Sequence, residues 1–449
     1  MRREPDDAIG IVHEAVRVSL EMHVPPGAPL AVGFSGGRDS AVLLDGLATI
    51  APSRGHTLAA IHVHHGLSAN ADAWAQFCAA RCAELGVACV VRRVDVARQP
   101  RASLEALARS ARYDALAQAA REIGASIVAL AHHRDDQLET LLLQLLRGAG
   151  PHGLAAMPAE RSDAAGTVWW RPLLHVPRAT IDAYARHRAL AWIDDESNAD
   201  TRHARNAVRQ SVLPALRGVA PQADATLARA IALQAEAARL LDELAQQDAA
   251  IAIDGATLSR DALAGLTPQR ARNLLRWFLR CRGLPAPSSA RLAAMLDQLR
   301  GARGDSTIRL AHAGIEIGVH RGRITLHPTP PPHFDVPWSG EPALALAHGT
   351  LIFGRTDGAG IDEKRLTGTP VRIRSRAGGE RFQLAPDRPR RALKAILHDA
   401  GIPAWERGGL PLIICGEALV AVAGVGIDAA FQTAPGQPGV TVDWHPNPV

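Results

Sequence analysis

The residues Ser35-Gly36-Gly37-Arg38-Asp39-Ser40 set two glycines and two hydroxyls around one acid, between an apolar run (Leu30 to Phe34) and a helix-like run (Ala41 to Ile50). Unpaired backbone N–H groups and the positive end of a helix dipole converge at such a strand-to-helix turn, so the pattern predicts an anion cradle. Gly36 and Gly37 are expected to take positive φ and admit a close ligand, with Ser35 and Ser40 adding hydroxyl donors. A carboxylate in a phosphate nest repels its ligand unless a cation intervenes, which makes Asp39 a candidate Mg²⁺ ligand. A second group, His132-His133-Arg134-Asp135-Asp136-Gln137-Leu138-Glu139-Thr140, occupies another strand-to-helix junction. Asp136, Glu139 and Thr140 share a helix face there, and two carboxylates near a nucleotide suit a second Mg²⁺ position or a proton acceptor.

These groups need a frame, and the chain supplies a repeating one. Apolar runs at Leu58 to Val63, Ala88 to Val94 and Ser126 to Ala131 alternate with helical stretches at Ala71 to Leu85, Ser103 to Ile123 and Asp135 to Arg147. Such alternation predicts βαβ units and a parallel sheet covered on both faces, with ligands at the carboxyl ends of the strands. Ser35 follows the first run, His64-His65-Gly66 the second and His132-His133 the fourth, so three loops are expected to converge on one cleft.

With 449 residues the chain is too long for one core. The fold class read from it is α/β: an N-terminal doubly wound parallel sheet over 1–220, a mainly helical middle domain over 221–330, and a small basic α+β domain over 335–449. The stretch from Gly148 to Ala220 is rich in glycine and proline and completes the first domain. From Pro221 to Gln247 the pattern is one long helix, with Leu227, Ile231, Leu240, Leu241 and Leu244 assigned to one face. Helices at Arg270 to Arg280 and Ser289 to Leu299 precede strand-like Thr307 to Leu310 and Arg323 to Leu326, and Pro328 to Pro332 form a stiff boundary. Strands at Leu351 to Phe353, Val371 to Arg374 and Leu419 to Val425 surround a short helix, Pro389 to Ala400.

Fifty basic against 45 acidic residues leave a net charge of only +5, so any nucleic-acid footprint must be local. The strongest cluster is Val371 to Lys394, where eight cations face Glu380 and Asp387, a local excess of six. Another is Glu105, Arg109, Arg112 and Tyr113 on one side of a helix. The five cysteines form no C-x-x-C pair, Cys78 and Cys82 read as small core residues, and no apolar run is long enough to span a bilayer; these features point to a reduced cytoplasmic setting. Trp169-Trp170 reads as a buried pair.

SGG-x-DS lacks the lysine of G-x-x-x-x-G-K-[ST] and instead resembles the PP-loop of the ATP pyrophosphatases. Further motifs fall in the order found in tRNA(Ile)-lysidine synthetases: His62 to Leu67, Ala131 to Gln137, Arg147 to Leu154, Arg171-Pro172-Leu173-Leu174, Asp195-Glu196-Ser197-Asn198, then Asn206 and Arg209. The tail, with Arg372 to Arg381 and Leu393 to Arg407, is similar to that family's C-terminal domain. The resemblance implies that ATP adenylates the ring carbonyl oxygen of the wobble cytidine in the isoleucine tRNA with a CAU anticodon. Free lysine then displaces AMP. The expected nucleotide-binding residues are Phe34, Ser35, Gly36, Gly37, Arg38, Asp39, Ser40 and His64, and the expected metal ligands are Asp39 and Asp136. Catalytic roles are expected for Asp39, His133, Asp136, Glu139 and Arg112, with Asp136, Glu139 and His133 as alternative acceptors for the lysine proton. ATP and Mg²⁺ are the implied cofactors, and tRNA and lysine the implied partners; a homodimer is one candidate assembly. A tRNA thiolase of the same superfamily would want a C-x-x-C site, which the chain lacks. A non-catalytic tRNA-binding protein with ATP as a structural ligand would release no AMP.

Overall fold

Leu30 and Val32 point to one face of their strand and Ala31 to the other, and all three are buried, as in a strand covered on both sides. The computed structural model describes residues 6–66, 68–95, 104–194, 204–301 and 308–447. Two units divide the chain, 1–241 and 242–449.

In the first unit, β1 (Leu30–Gly33), β2 (Leu58–His64), β3 (Ala88–Arg93), β4 (Ile127–Ala129), β5 (Glu160–Ser162) and β6 (Val168–Trp170) form one sheet in the order β3-β2-β1-β4-β6-β5. Every neighbouring pair is parallel except β5 with β6. Helices α1 (Asp6–His23), α2 (Arg38–Ile50), α3 (Ala71–Glu84), α4 (Leu104–Glu122) and α5 (Arg134–Leu146) follow the predicted alternation. Val12, Val16, Leu43, Leu44 and Leu47 pack on one sheet face, and Leu116, Ala119 and Ala120 on the other. The strand order reverses between β1 and β4, so the crevice of this sheet lies beyond their carboxyl ends.

The glycine- and proline-rich stretch holds more structure than expected: β6, α6 (Pro151–Leu154), α7 (Arg178–His187), α8 (Ala204–Ala207), a π-helical turn at Val208–Val212, and α9 (Leu213–Val219). Trp169 and Trp170 are core residues of β6, their indole N–H groups donating to Asp163 Oδ2 (3.1 Å) and Ser19 Oγ (2.8 Å). Asp195-Glu196-Ser197-Asn198, Leu67, Ser103, Thr307 and the side chain of Glu105 lie outside the described residues.

The long helix, α10 (Ala223–Ala252), is present, but its buried face differs from the one expected. Ile231, Ala238, Ala245 and Ala249 are buried, whereas Leu240 is 59% exposed. Nine residues at about 100° each put Leu240 opposite Ile231.

In the second unit the expected middle helices, now Pro268–Arg280 and Ser289–Gly301, pack on a five-stranded antiparallel sheet that includes Thr257–Ser259, Ile315–His320 and Arg323–Pro328. The C-terminal part builds three further sheets, of five, four and two strands, and the short helix Leu393–Asp399 packs against the five-stranded one through Leu393, Ile396 and Leu397. Trp405 joins the two parts. Its ring stacks on His327 at 4.3 Å with planes 6° apart and lies directly over Gly318, where a Cβ would collide with it. His320 Nε2 adds a 3.0 Å contact to the Gly401 carbonyl.

Candidate active site at the ends of β1 and β4

Gly36 has φ +84°, and an added Cβ would lie 2.5 Å from Ile193 Cδ1 and 3.0 Å from Cys78 Sγ. Glycine is required there on both counts. Gly37 departs from expectation: its φ is −72°, ordinary extended backbone at the N-cap of α2. The two serines also act differently from the loose donors expected. Ser40 Oγ donates to the Gly37 carbonyl (2.8 Å), Ser35 Oγ lies 3.0 Å from Ser40 Oγ, and the Gly37 N–H reaches Ser35 Oγ at 3.3 Å. This closed circuit sets the shape of the loop.

Phe34 follows β1 as a core residue. Its ring is in the core, its N–H donates to the Ile61 carbonyl, and its own carbonyl accepts from His62 Nδ1, both at 2.9 Å. Burial lowers the His62 pKa, so that ring is a neutral strut. His64 is engaged away from the loop by Asp72 Oδ1 (3.2 Å) and Arg93 Nη1 (3.4 Å). Arg38 stays at the loop, with Nε 3.4 Å from Asp39 Oδ1 and Nη1 2.9 Å from Asp182 Oδ1 on α7.

His133 joins the two loops. Its Nε2 is 3.5 Å from Asp39 Oδ2 and 3.6 Å from Asp136 Oδ2, and its backbone N–H donates to Asp136 Oδ2 at 2.9 Å, capping α5. Burial pulls the imidazole pKa down, but the hydrogen bond to Asp39 and the charge of Asp136 outweigh it, and the net shift is upward. Burial likewise opposes ionisation of Asp39, yet His133 and the nearby guanidinium groups hold it at about 2. Asp136 is lowered against its own burial by His133 and Arg205.

Behind them lies a clamp the sequence did not reveal. Glu139 is fully buried, accepting from Arg205 Nε and Arg209 Nε at 2.6 Å each, while Arg205 Nη2 donates to Asp136 Oδ1 at 2.8 Å. Both Glu139 oxygens thereby accept from guanidinium groups. Asp136 and Glu139 thus face the guanidinium groups of Arg205 and Arg209, with Asp39 and the His133 ring beside them. The signal was present as matched spacing: acids three apart on α5 and arginines four apart at 205 and 209 can face each other along two helices. Asp135 serves the scaffold, accepting from the Arg178 N–H (3.0 Å) and Arg217 Nη2 (2.7 Å). Arg112 is half-buried on α4, its guanidinium 5.9 Å from the Tyr113 ring.

No group of three or more His, Cys, Asp or Glu among the described residues forms a closed metal cage. Asp39 and Asp136 carry the hard carboxylate oxygens that Mg²⁺ takes beside its waters.

The family described as "PP-loop domain" matches residues 15–216, "TilS substrate binding domain" matches 258–325, and "TilS substrate C-terminal domain" matches 371–444. A tRNA(Ile)-lysidine synthase of Nitrosomonas europaea is 44% identical over 438 residues, 96% of this chain and 95% of its own. Its counterpart in Ralstonia nicotianae is 43% identical over 440 residues, 94% of each chain. The chain belongs to the tRNA(Ile)-lysidine synthase family. The PP-loop match contains Gly36, Asp39, His133, Asp136, Glu139, Arg205 and Arg209. The last match contains the basic stretch, whose charge is smaller in three dimensions than in sequence. Arg372, Arg390 and Arg391 pair with Asp335, Asp428 and Asp399, while Arg374 and Arg376 share Glu380. Five of the eight cations are therefore paired, with four carboxylates. Among the described residues Arg381, Arg388 and Lys394 have no carboxylate partner. No helix among the described residues is long and apolar enough to cross a membrane.

Proposed function

We propose that the protein attaches free lysine to the wobble cytidine of the isoleucine tRNA bearing a CAU anticodon, converting ATP to AMP and pyrophosphate. The observation that carries this reading is the approach of Asp39 and Asp136, from two separate loops, to one nitrogen of His133 (3.5 and 3.6 Å) at the switch point of a PP-loop sheet. In the first step the ring carbonyl oxygen of the cytidine attacks the α-phosphorus of ATP and pyrophosphate leaves. The Gly36–Arg38 backbone, the N-terminus of α2 and the Arg38 guanidinium receive the departing phosphates. Asp39 and Asp136 would hold Mg²⁺, which when bound supplies charge neutralisation at those oxygens.

In the second step the lysine side-chain amine attacks the activated ring carbon, and AMP departs with the oxygen it acquired. Free lysine has a pKa of about 10.4, so a proton must be lost. The Asp136–His133 pair takes it, and Glu139 acts by holding Arg205 and Arg209 in place. Residues 1–220 perform the chemistry, while 221–330 and 335–449 grip the tRNA. The test is incubation with labelled lysine, ATP and the minor isoleucine tRNA, followed by digestion of the RNA. Label on the wobble nucleoside, with one AMP per lysine, is expected. No incorporation beside an active control enzyme refutes the assignment. Asp39→Ala is expected to abolish AMP release while retaining tRNA binding.

A further inference from the structure

Three of the five cysteines gather behind the phosphate loop, and the reaction above uses none of them. Cys78 and Cys82 stand one helical turn apart on α3, and both are wholly buried. Cys89, on the edge strand β3, is half-buried and packs on the same core, on the sheet face that carries α1 and α2. The Cys82 thiol donates to the Cys89 sulfur. That bond, together with burial, raises the Cys82 pKa, and accepting it lowers the pKa of Cys89 against the effect of its own burial. Burial pushes the Cys78 thiol up to about 12. At the other end of the group, Cys78 Sγ lies 3.0 Å from the place a Cβ on Gly36 would take, with Ile193 also crowding that place.

A half-exposed thiol that solvent can reach, hydrogen-bonded to a buried partner thiol, is an attacking and a resolving sulfur already side by side. We propose that Cys82 and Cys89 are a site of reversible oxidation by hydrogen peroxide, and that the disulfide they form loosens the phosphate loop through Cys78. The Cys89 thiolate attacks one peroxide oxygen, the O–O bond breaks, and hydroxide departs to be protonated to water, leaving Cys89 as a sulfenic acid. The Cys82 sulfur then attacks the Cys89 sulfur, the S–O bond breaks, and a second water leaves with the Cys82 proton. Two thiols lose two electrons and one peroxide becomes two waters; a dithiol reverses the bond by exchange. A covalent S–S bond draws the sulfurs closer than a hydrogen bond does. Because α3 is one continuous helix, a displaced Cys82 carries Cys78 with it, and the close-packed place at Gly36 leaves little slack to absorb the movement. The inference rests on the function proposed above, in which this loop receives the phosphates of ATP.

The experiment treats the reduced full chain with hydrogen peroxide, maps the thiols by alkylation and peptide mass spectrometry, and titrates ATP with Mg²⁺ before and after. A Cys82–Cys89 cross-link is expected, with ATP affinity about 5- to 150-fold weaker, the usual size of coupling between two sites, and recovery in dithiothreitol. Cys89→Ser and Cys82→Ala should keep the affinity of the reduced protein under peroxide. Cys78→Ala should form the cross-link with a smaller loss of affinity, and an equal loss would overturn the relay through Cys78. Exposed Cys281 reacts in every variant and marks the dose. A dose that consumes Cys281 yet leaves Cys82 and Cys89 as thiols overturns the inference. So does a complete cross-link with ATP affinity within about twofold of the reduced protein. Cys89→Ser, at the half-exposed position, carries the comparison should Cys82→Ala fail to fold. A reduced wild type that binds no ATP refutes the reading of the loop itself, whereas an ATP-binding wild type indifferent to oxidation refutes only this switch.

Discussion

Glu139→Gln preserves the shape of a buried side chain and deletes its charge, leaving Arg205 and Arg209 facing an amide. Breaking a buried ion pair from one side costs about 3–5 kcal/mol. Here the guanidinium groups keep roughly a quarter of their side-chain surface in water, and Arg205 retains Asp136 at 2.8 Å. Solvent screening and the retained partner bring the cost to the bottom of that range or below it, about 2–3 kcal/mol. In a unit of 241 residues each kcal/mol moves the melting temperature about 2–4 °C, so the variant should melt about 4–12 °C below wild type. Calorimetry of the full chain measures this, and the double variant Glu139→Gln/Arg209→Gln, which removes an orphaned cation, should recover part of the loss. The residual activity should keep the pH profile of the wild type. A variant that melts with the wild type yet loses about 10²–10⁴ in kcat, together with one limb of that profile, would make Glu139 the base and refute the clamp.

Gly36→Ala should cost about 2–3 kcal/mol, from a left-handed backbone and displacement of Ile193 and Cys78, and should weaken nucleotide binding at least about tenfold. Unchanged melting and nucleotide titration curves would contradict this. The raised pKa of His133 gives stability that is fully present below the ordinary imidazole value near ~6.5 and is lost as pH rises through the folded-state value. Melting temperature should therefore fall as pH rises above that range in the wild type, and His133→Gln should flatten the dependence. In the tail, Arg388→Gln/Lys394→Gln should lower the salt slope of tRNA binding by about 0.7–0.9 per phosphate contact removed. A slope equal to wild type would leave those two cations as solvated surface groups.

The parallel sheet and its cleft were legible because buried βαβ strands are nearly continuous apolar runs, punctuated by the polar loops that bind ligands. β6 was hidden because three residues, Val168 to Trp170, are too few to display a period and lie among glycines and prolines. Most strands of the middle sheet were missed for a similar reason: they are short, and the arginine-rich helices dominate the local pattern. At the site, residues joined by backbone proximity could be read, as with Ser35 to Ser40 and His133 to Glu139. The Arg205–Glu139 relation could not, since 66 positions separate partners that only the fold brings together. The tail was overread for the same cause: Asp335, Asp399 and Asp428 lie outside the stretch whose charge was counted, yet fold back onto it.

The indole of Trp405, seated over a glycine that admits no side chain, has a consequence for how the second half of the chain meets a large ligand. Two modules tied by a flexible tether would each search for its own stretch of a partner, and the partner would set their separation. A wedge of this kind makes the spacing a property of the polypeptide. If both modules hold the RNA as proposed, its length and bend, as well as its bases, are read against a fixed gauge.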